Sequence, residues 1–82
     1  LIGPDSDNAW YHNRLGVCWD RRGGHDDKAI AEYRKSIRLD PTIGWTHHHL
    51  ATILKRKERF EEAAAEFREA ARLFPEKRAE WK

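Results

Sequence analysis

The apolar positions of this chain fall into stripes that repeat. In the segment EAAAEFREAARLFP, Glu62 to Pro75, residues Ala63, Phe67, Ala70 and Leu73 follow steps of four, three and three, which places them on one face of an α-helix. Ala29, Tyr33, Ser36 and Leu39 stand 34 residues earlier in the same order, and Pro41 precedes Pro75 by the same interval. Each stripe mixes one aromatic ring with small residues, so another helix can approach closely while the ring fills the space beside it. The partner lies upstream: Leu15, Gly16 and Trp19 precede the first stripe, and Leu50, Ala51 and Leu54 precede the second. The pattern predicts four antiparallel helices in two helix-turn-helix units. They run from about Ala9 to Arg22, Asp26 to Leu39, Ile43 to Lys57 and Phe60 to Phe74. Leu15, Gly16, Trp19, Ala29, Tyr33, Leu39, Leu50, Ala51, Leu54, Ala63, Phe67, Ala70 and Leu73 are expected to be mostly buried.

Local signals punctuate these units. Asp7 or Asn8 can cap the first helix, Gly23-Gly24 tolerates the backbone of a turn one residue longer than its counterpart, and Asp40-Pro41 stops the second helix. Thr42 is a natural cap for the third helix, in which Gly44 is a weak point of about 1 kcal/mol relative to alanine. Acidic residues open the second and fourth helices, where the helix dipole favours them.

At these residues the chain resembles the tetratricopeptide repeat family, whose pattern of W-x2-L-G-x2-Y, then A-x3-F, then P extends over 34 residues. Leu15-Gly16 and Leu50-Ala51 fit that pattern, Trp19 and Leu54 take the tyrosine place, and His12 and His47 stand where the family has tryptophan. The likeness runs from about Ala9 to Pro75. It implies an all-α, right-handed superhelical array of helix-turn-helix repeats, an α-solenoid, and a role in protein–protein interaction. The repeats read as about 9–41 and 43–75 of a single domain over 1–82. Residues 1–4 read as the tail of a preceding repeat and 76–82 as the start of a following helix. His12 and His47 are expected to pack between helices with one ring nitrogen hydrogen-bonded.

Composition narrows the function. Eighty-two residues allow one small domain with a marginal core. Sixteen basic residues against 14 acidic give a net charge of only +2, which supplies little electrostatic drive toward a polyanion and ranks single-stranded RNA binding low. No apolar run approaches membrane-spanning length. A lone cysteine, Cys18, excludes an internal disulfide and is expected to be a small buried filler. The five histidines include no pair three or four residues apart, so a metal site and a cofactor are not expected. Ser36 is explained by packing, and Glu61, Glu62, Glu66 and Glu69 alternate with Arg68 and Arg72 as a solvated face. No catalytic residue emerges, and the chain does not read as an enzyme.

The resemblance implies a concave surface lined by the first helix of each repeat. Off the packing stripe, Trp10, Asn13, Arg14, Val17, Asp20 and Arg21 share one face of the first helix. Trp45, His48, His49, Thr52, Lys55 and Arg56 share the matching face of the third. Each face opens on a tryptophan and closes on a basic residue. Two indole anchors over a floor of Arg14, Arg21, Lys55 and Arg56 suit an acidic peptide segment. An indole lying under the preceding repeat accounts equally well for each tryptophan. The lysine and asparagine clamp by which some members of the family hold acidic chaperone tails is not reproduced, because Asn13 and Val17 occupy its places. A structural role, with repeats stacking on other repeats, is the alternative. Ala64, Ala71, Phe74 and Trp81 are the apolar candidates left at the open end, and two copies are expected to cover them by self-association.

Overall fold

The structure is a computed structural model, and it describes residues 8–74. Four helices follow one another: α1 Ala9–Arg22, α2 Asp26–Leu39, α3 Gly44–Arg56 and α4 Phe60–Leu73. α1 pairs with α2, α3 pairs with α4, and α2 lies against α3 to join the two pairs. The two helix-turn-helix units and their boundaries match the sequence reading to within a residue.

Each turn has a chemical cause. Asn8 caps α1, its Oδ1 accepting from the backbone N–H of Trp10 at 2.8 Å and of Tyr11 at 3.3 Å. Gly23 and Gly24 turn the chain with φ of 76° and 73°, a region that costs glycine nothing. The second hairpin reaches the same region with one residue, Glu58 at φ 65°. There the Arg59 N–H returns to the Leu54 carbonyl at 2.8 Å and closes α3. Thr42 does not cap α3. Its N–H and hydroxyl both donate to Asp40 Oδ1, at 3.0 and 2.6 Å, and Ile43 occupies the cap position without a side-chain bond. Those two bonds hold the Asp40 carboxyl below its ordinary pKa.

The core gathers Ala29, Ile30, Tyr33, Leu50, Ile53, Leu54 and Ala63, with Val17, Trp19, Ile37 and Phe67 packed against it. Leu50, Ile53 and Leu54 are fully buried, each contributing about 1.5–3 kcal/mol by removal from water. Gly16, Ala51 and Ala70 are buried as expected, while Leu15, Trp19, Phe67 and Leu73 are half-buried. Leu39 departs from expectation at 45 % exposure. It ends its helix, and the apolar side chain buried beside that turn is Ile43. Cys18 is likewise exposed rather than buried. Its counterpart 35 residues later is Ile53, which lies in the core where α3 meets the first pair. α1 has no such neighbour on that side among the described residues.

The two histidines at the tryptophan places are buried and make one arrangement twice. His12 Nδ1 lies 2.7 Å from Glu32 Oε1, joining α1 to α2. His47 Nδ1 lies 2.5 Å from Glu66 Oε1, joining α3 to α4, and its Nε2 donates to the Pro41 carbonyl at 2.9 Å. The expected single hydrogen bond of His47 is therefore a pair.

Candidate functional site

The face read from the sequence divides into an exposed part and a part consumed by the junction between the helix pairs. Trp10 and Trp45 are 51 % and 41 % exposed, so neither indole lies inside its own helix pair. Trp45 is flanked by aromatic rings, with Phe74 at 5.2 Å, His48 at 5.9 Å and His49 at 6.1 Å between centroids. Arg14, Arg21 and Lys55 are exposed, and none of them enters an ion pair among the described residues. Val17 is half-buried against the core. Thr52 is exposed and spends its hydroxyl on the His48 carbonyl at 3.0 Å.

Asn13 and Arg56 are placed otherwise. Asn13 is buried, and its Oδ1 accepts from the Thr46 hydroxyl at 3.1 Å and from His49 Nδ1 at 3.4 Å. Ser36 Oγ lies 3.3 Å from Thr46 Oγ1. With the Thr46 proton directed at Asn13, the Ser36 hydroxyl donates to Thr46. The four side chains tie α1, α2 and α3 through one buried network. Arg56 bridges the same three helices at the surface, donating to Asp20 Oδ1 at 2.7 Å and Asp26 Oδ1 at 2.8 Å. Its hydrogen bond holds the Asp26 carboxyl low, and the two carboxylates raise the Arg56 guanidinium in turn. Beside this clip Lys57 Nζ reaches Asp27 Oδ1 at 3.4 Å. That ion pair borders an open depression of about 400 Å³ at the amino end of α2, lined by Gly24, His25 and Lys28 among others.

His48 and His49 carry no expected basic character at neutral pH. Burial pushes both imidazoles below their ordinary pKa. His48 adds to the shift on His49, and Asp20 opposes it. Around His49 stand Asn13 and Asp20 of α1, Tyr33 of α2 and Trp45 and His48 of α3, while Phe67 of α4 faces His48. The unfolded chain therefore takes up protons that the folded chain refuses, and stability is fully present above the ordinary histidine value of 6.5. It should be lost as pH falls from there toward the folded values. Urea denaturation across this window should show that loss in the wild type and a flatter profile in the His48→Gln/His49→Gln variant. Equal slopes would contradict the burial argument.

Of the residues expected at the open end, Ala64 is exposed and Ala71 half-buried. Phe74 is half-buried, with its ring over Gly44 and beside Trp45. Trp81 and the segments 1–4 and 76–82 lie outside the described residues. Among the described residues no three His, Cys, Asp or Glu side chains converge where a metal could sit. No helix of the described chain is long and apolar enough to cross a membrane.

Two family models described as tetratricopeptide repeat match this chain, one over residues 45–77 and the other over residues 21–43. No curated protein matches it. The matched segments divide between the helix pairs at the α2–α3 connection, the point at which the 34-residue pattern divides them. With the four-helix architecture and the repeated ladder of core positions, these matches make the chain a member of the tetratricopeptide repeat family.

Proposed function

We propose that the face formed by α1 and α3 binds an extended, acidic segment of a protein partner. What supports this reading is that two indoles, Trp10 and Trp45, are half-exposed and that three cations on the same helices, Arg14, Arg21 and Lys55, are exposed and have no ion-pair partner among the described residues. The acid on this face, Asp20, is already engaged by Arg56, so what remains available is positive. Tryptophan and arginine supply large contact area and oriented donors to a peptide. Tetratricopeptide repeats generally mediate protein–protein interaction, and the role proposed here is that of a binding module rather than a catalyst.

Selection of random displayed peptides on the immobilised chain provides the test. Selected peptides should be enriched in Asp and Glu, and their affinity should fall as salt rises, because exposed charges are screened. The Arg14→Glu/Lys55→Glu variant should bind them about tenfold more weakly, in line with a few tenths to 1 kcal/mol per exposed pair plus new repulsion. Arg56 is unsuited to this test, since its change would also break the clip to Asp20 and Asp26. Peptides without acidic enrichment, or binding indifferent to the double reversal, would refute the basic-face reading.

A further inference from the structure

Within the proposed face, Trp45 is the indole that the protein surrounds with imidazoles. His48 stands edge-on to it at 5.9 Å between centroids, and His49 lies tilted beside it at 6.1 Å. Both histidines are half-buried, so neither is sealed from solvent. The first helix of the other pair carries different chemistry at the same places. Trp10, Asn13 and Arg14 precede Trp45, His48 and His49 by 35 residues, and Arg14 is an exposed, permanent cation. His49 therefore fills the place of a fixed positive charge with a group whose charge depends on pH. Its Nδ1–H is spent on Asn13 Oδ1 at 3.4 Å, which leaves Nε2 as the nitrogen that takes a further proton. The groups around the two rings are Asn13 and Asp20 of α1, Tyr33 of α2, Trp45 of α3 and Phe67 of α4, besides each other. Asp20, the carboxylate among them, is already bound by Arg56, and burial keeps the Tyr33 phenol neutral.

We infer that His48 and His49 form a proton-coupled carboxylate subsite beside Trp45. A ligand side chain seated on the indole brings a neighbouring Asp or Glu to the imidazoles, and the complex takes up a proton that the free protein does not hold. This subsite rests on the reading of the α1–α3 face as a binding site for an acidic segment, and adds pH as its regulator. Without a ligand, burial holds both imidazoles below 6.5 and leaves them neutral at neutral pH. A carboxylate set against them favours the charged form and opposes that effect. Affinity for an acidic segment should therefore rise as pH falls from neutral, through the window in which the free fold loses stability. Arg14, Arg21 and Lys55 do not titrate there, and peptide carboxylates stay ionised above about pH 5.

Isothermal titration in two buffers of different ionisation enthalpy counts the protons. The probe is an Asp- and Glu-rich peptide from the selection above, and its control is the same peptide with every acid changed to its amide. At about pH 6 the wild type should take up about one proton with the acidic peptide and none with the amide form. Its affinity for the acidic peptide should be about tenfold higher there than at about pH 7.5. His48→Gln/His49→Gln should bind the acidic peptide without uptake and with a flat pH profile. His12, His25 and His47 are present in both chains, so the difference belongs to the changed pair. The comparison between the two peptides needs no substitution and decides the matter in the wild type alone. Equal uptake with both peptides, or uptake that persists in the double variant, would overturn the subsite. So would acidic binding that Arg14→Glu/Lys55→Glu weakens but that takes up no proton, an outcome that leaves the basic face standing. Failure of acidic peptides to bind at any pH would overturn both.

Discussion

Replacing Gly16 with alanine should destabilise the fold by about 1–3 kcal/mol, against the gain of nearly 1 kcal/mol that helix propensity alone would predict. A Cβ built at Gly16 falls 2.5 Å from Tyr33 Cε1, with Cδ1 and Cζ at 2.7 and 2.8 Å. Tyr33 is fully buried, and its ring belongs to the core that both helix pairs share, so it cannot swing into solvent to make room. α1 must move away from α2, with loss of packing along the hairpin. For a chain of this size the midpoint of thermal unfolding should fall by about 4–8 °C per kcal/mol. Tyr33→Leu in the same chain should recover part of the loss by removing the atoms that clash. Gly44 provides the contrast. A Cβ there would meet the Phe74 ring, but Phe74 is half-buried just beyond the end of α4 and can rotate outward. Gly44→Ala should therefore cost much less, and should register in the near-ultraviolet signal of Trp45, whose ring neighbour leaves. A midpoint that rises in Gly16→Ala would mean that the close approach of α1 to Tyr33 is not what holds this position to glycine.

The difference between Gly16 and Gly44 also marks what a single sequence can and cannot disclose. Gly16 stands in the repeated ladder opposite Tyr33, and the period alone assigns it to the helix contact. Gly44 has no such counterpart: 35 residues earlier stands Ala9, and Phe74 corresponds to Asp40. Its helix propensity was legible, whereas the ring lying over it was not. The same division runs through the functional face. Helical steps place Trp10, Arg14, Arg21, Trp45 and Lys55 off the packing stripe, and all five are exposed, because exposure follows from which side of one helix is apolar. They could not reveal that Asn13 and Arg56, on nearly the same side, are claimed by a neighbouring helix 30 or more residues away. Ile30 and Ile53 stand outside the ladder for a related reason: both are core residues at the contact between the two helix pairs, and the ladder repeats only the contacts within each pair. One signal was available: Asp20 and Asp26 flank the first turn, and α3 closes on Lys55 and Arg56 with Lys57 as its cap. Acid at one end of a repeat and base at the matching end of the next is a sequence-readable sign of a clip.

Truncating Asn13 to alanine should cost about 2 kcal/mol in the absence of any ligand, because its carbonyl oxygen is the acceptor on which the buried junction converges. Thr46 is completely buried and Asn13 is 5 % exposed, so water cannot replace the lost acceptor without opening α1 from α3. A buried donor left unsatisfied costs about 1–3 kcal/mol. Two donors lose their partner here, the Thr46 hydroxyl and His49 Nδ1. The sum is reduced because the Thr46 hydroxyl can rotate toward Ser36 Oγ, and because the 3.4 Å bond from His49 is a long one. Thr46→Val removes the donor while keeping the shape, so the two substitutions should be non-additive, with a coupling energy of about 0.5–3 kcal/mol in a double-mutant cycle followed by urea denaturation. The cycle also separates the two roles open to Asn13. A residue that contacts a bound peptide would lower affinity and leave the free protein's stability unchanged. A residue that ties α1 to α3 lowers stability first, and weakens binding only to the extent that Trp10 and Trp45 lose their fixed spacing. Unchanged stability in Asn13→Ala together with lost peptide binding would return Asn13 to the binding face and remove the buried junction as the element that sets the distance between the indoles.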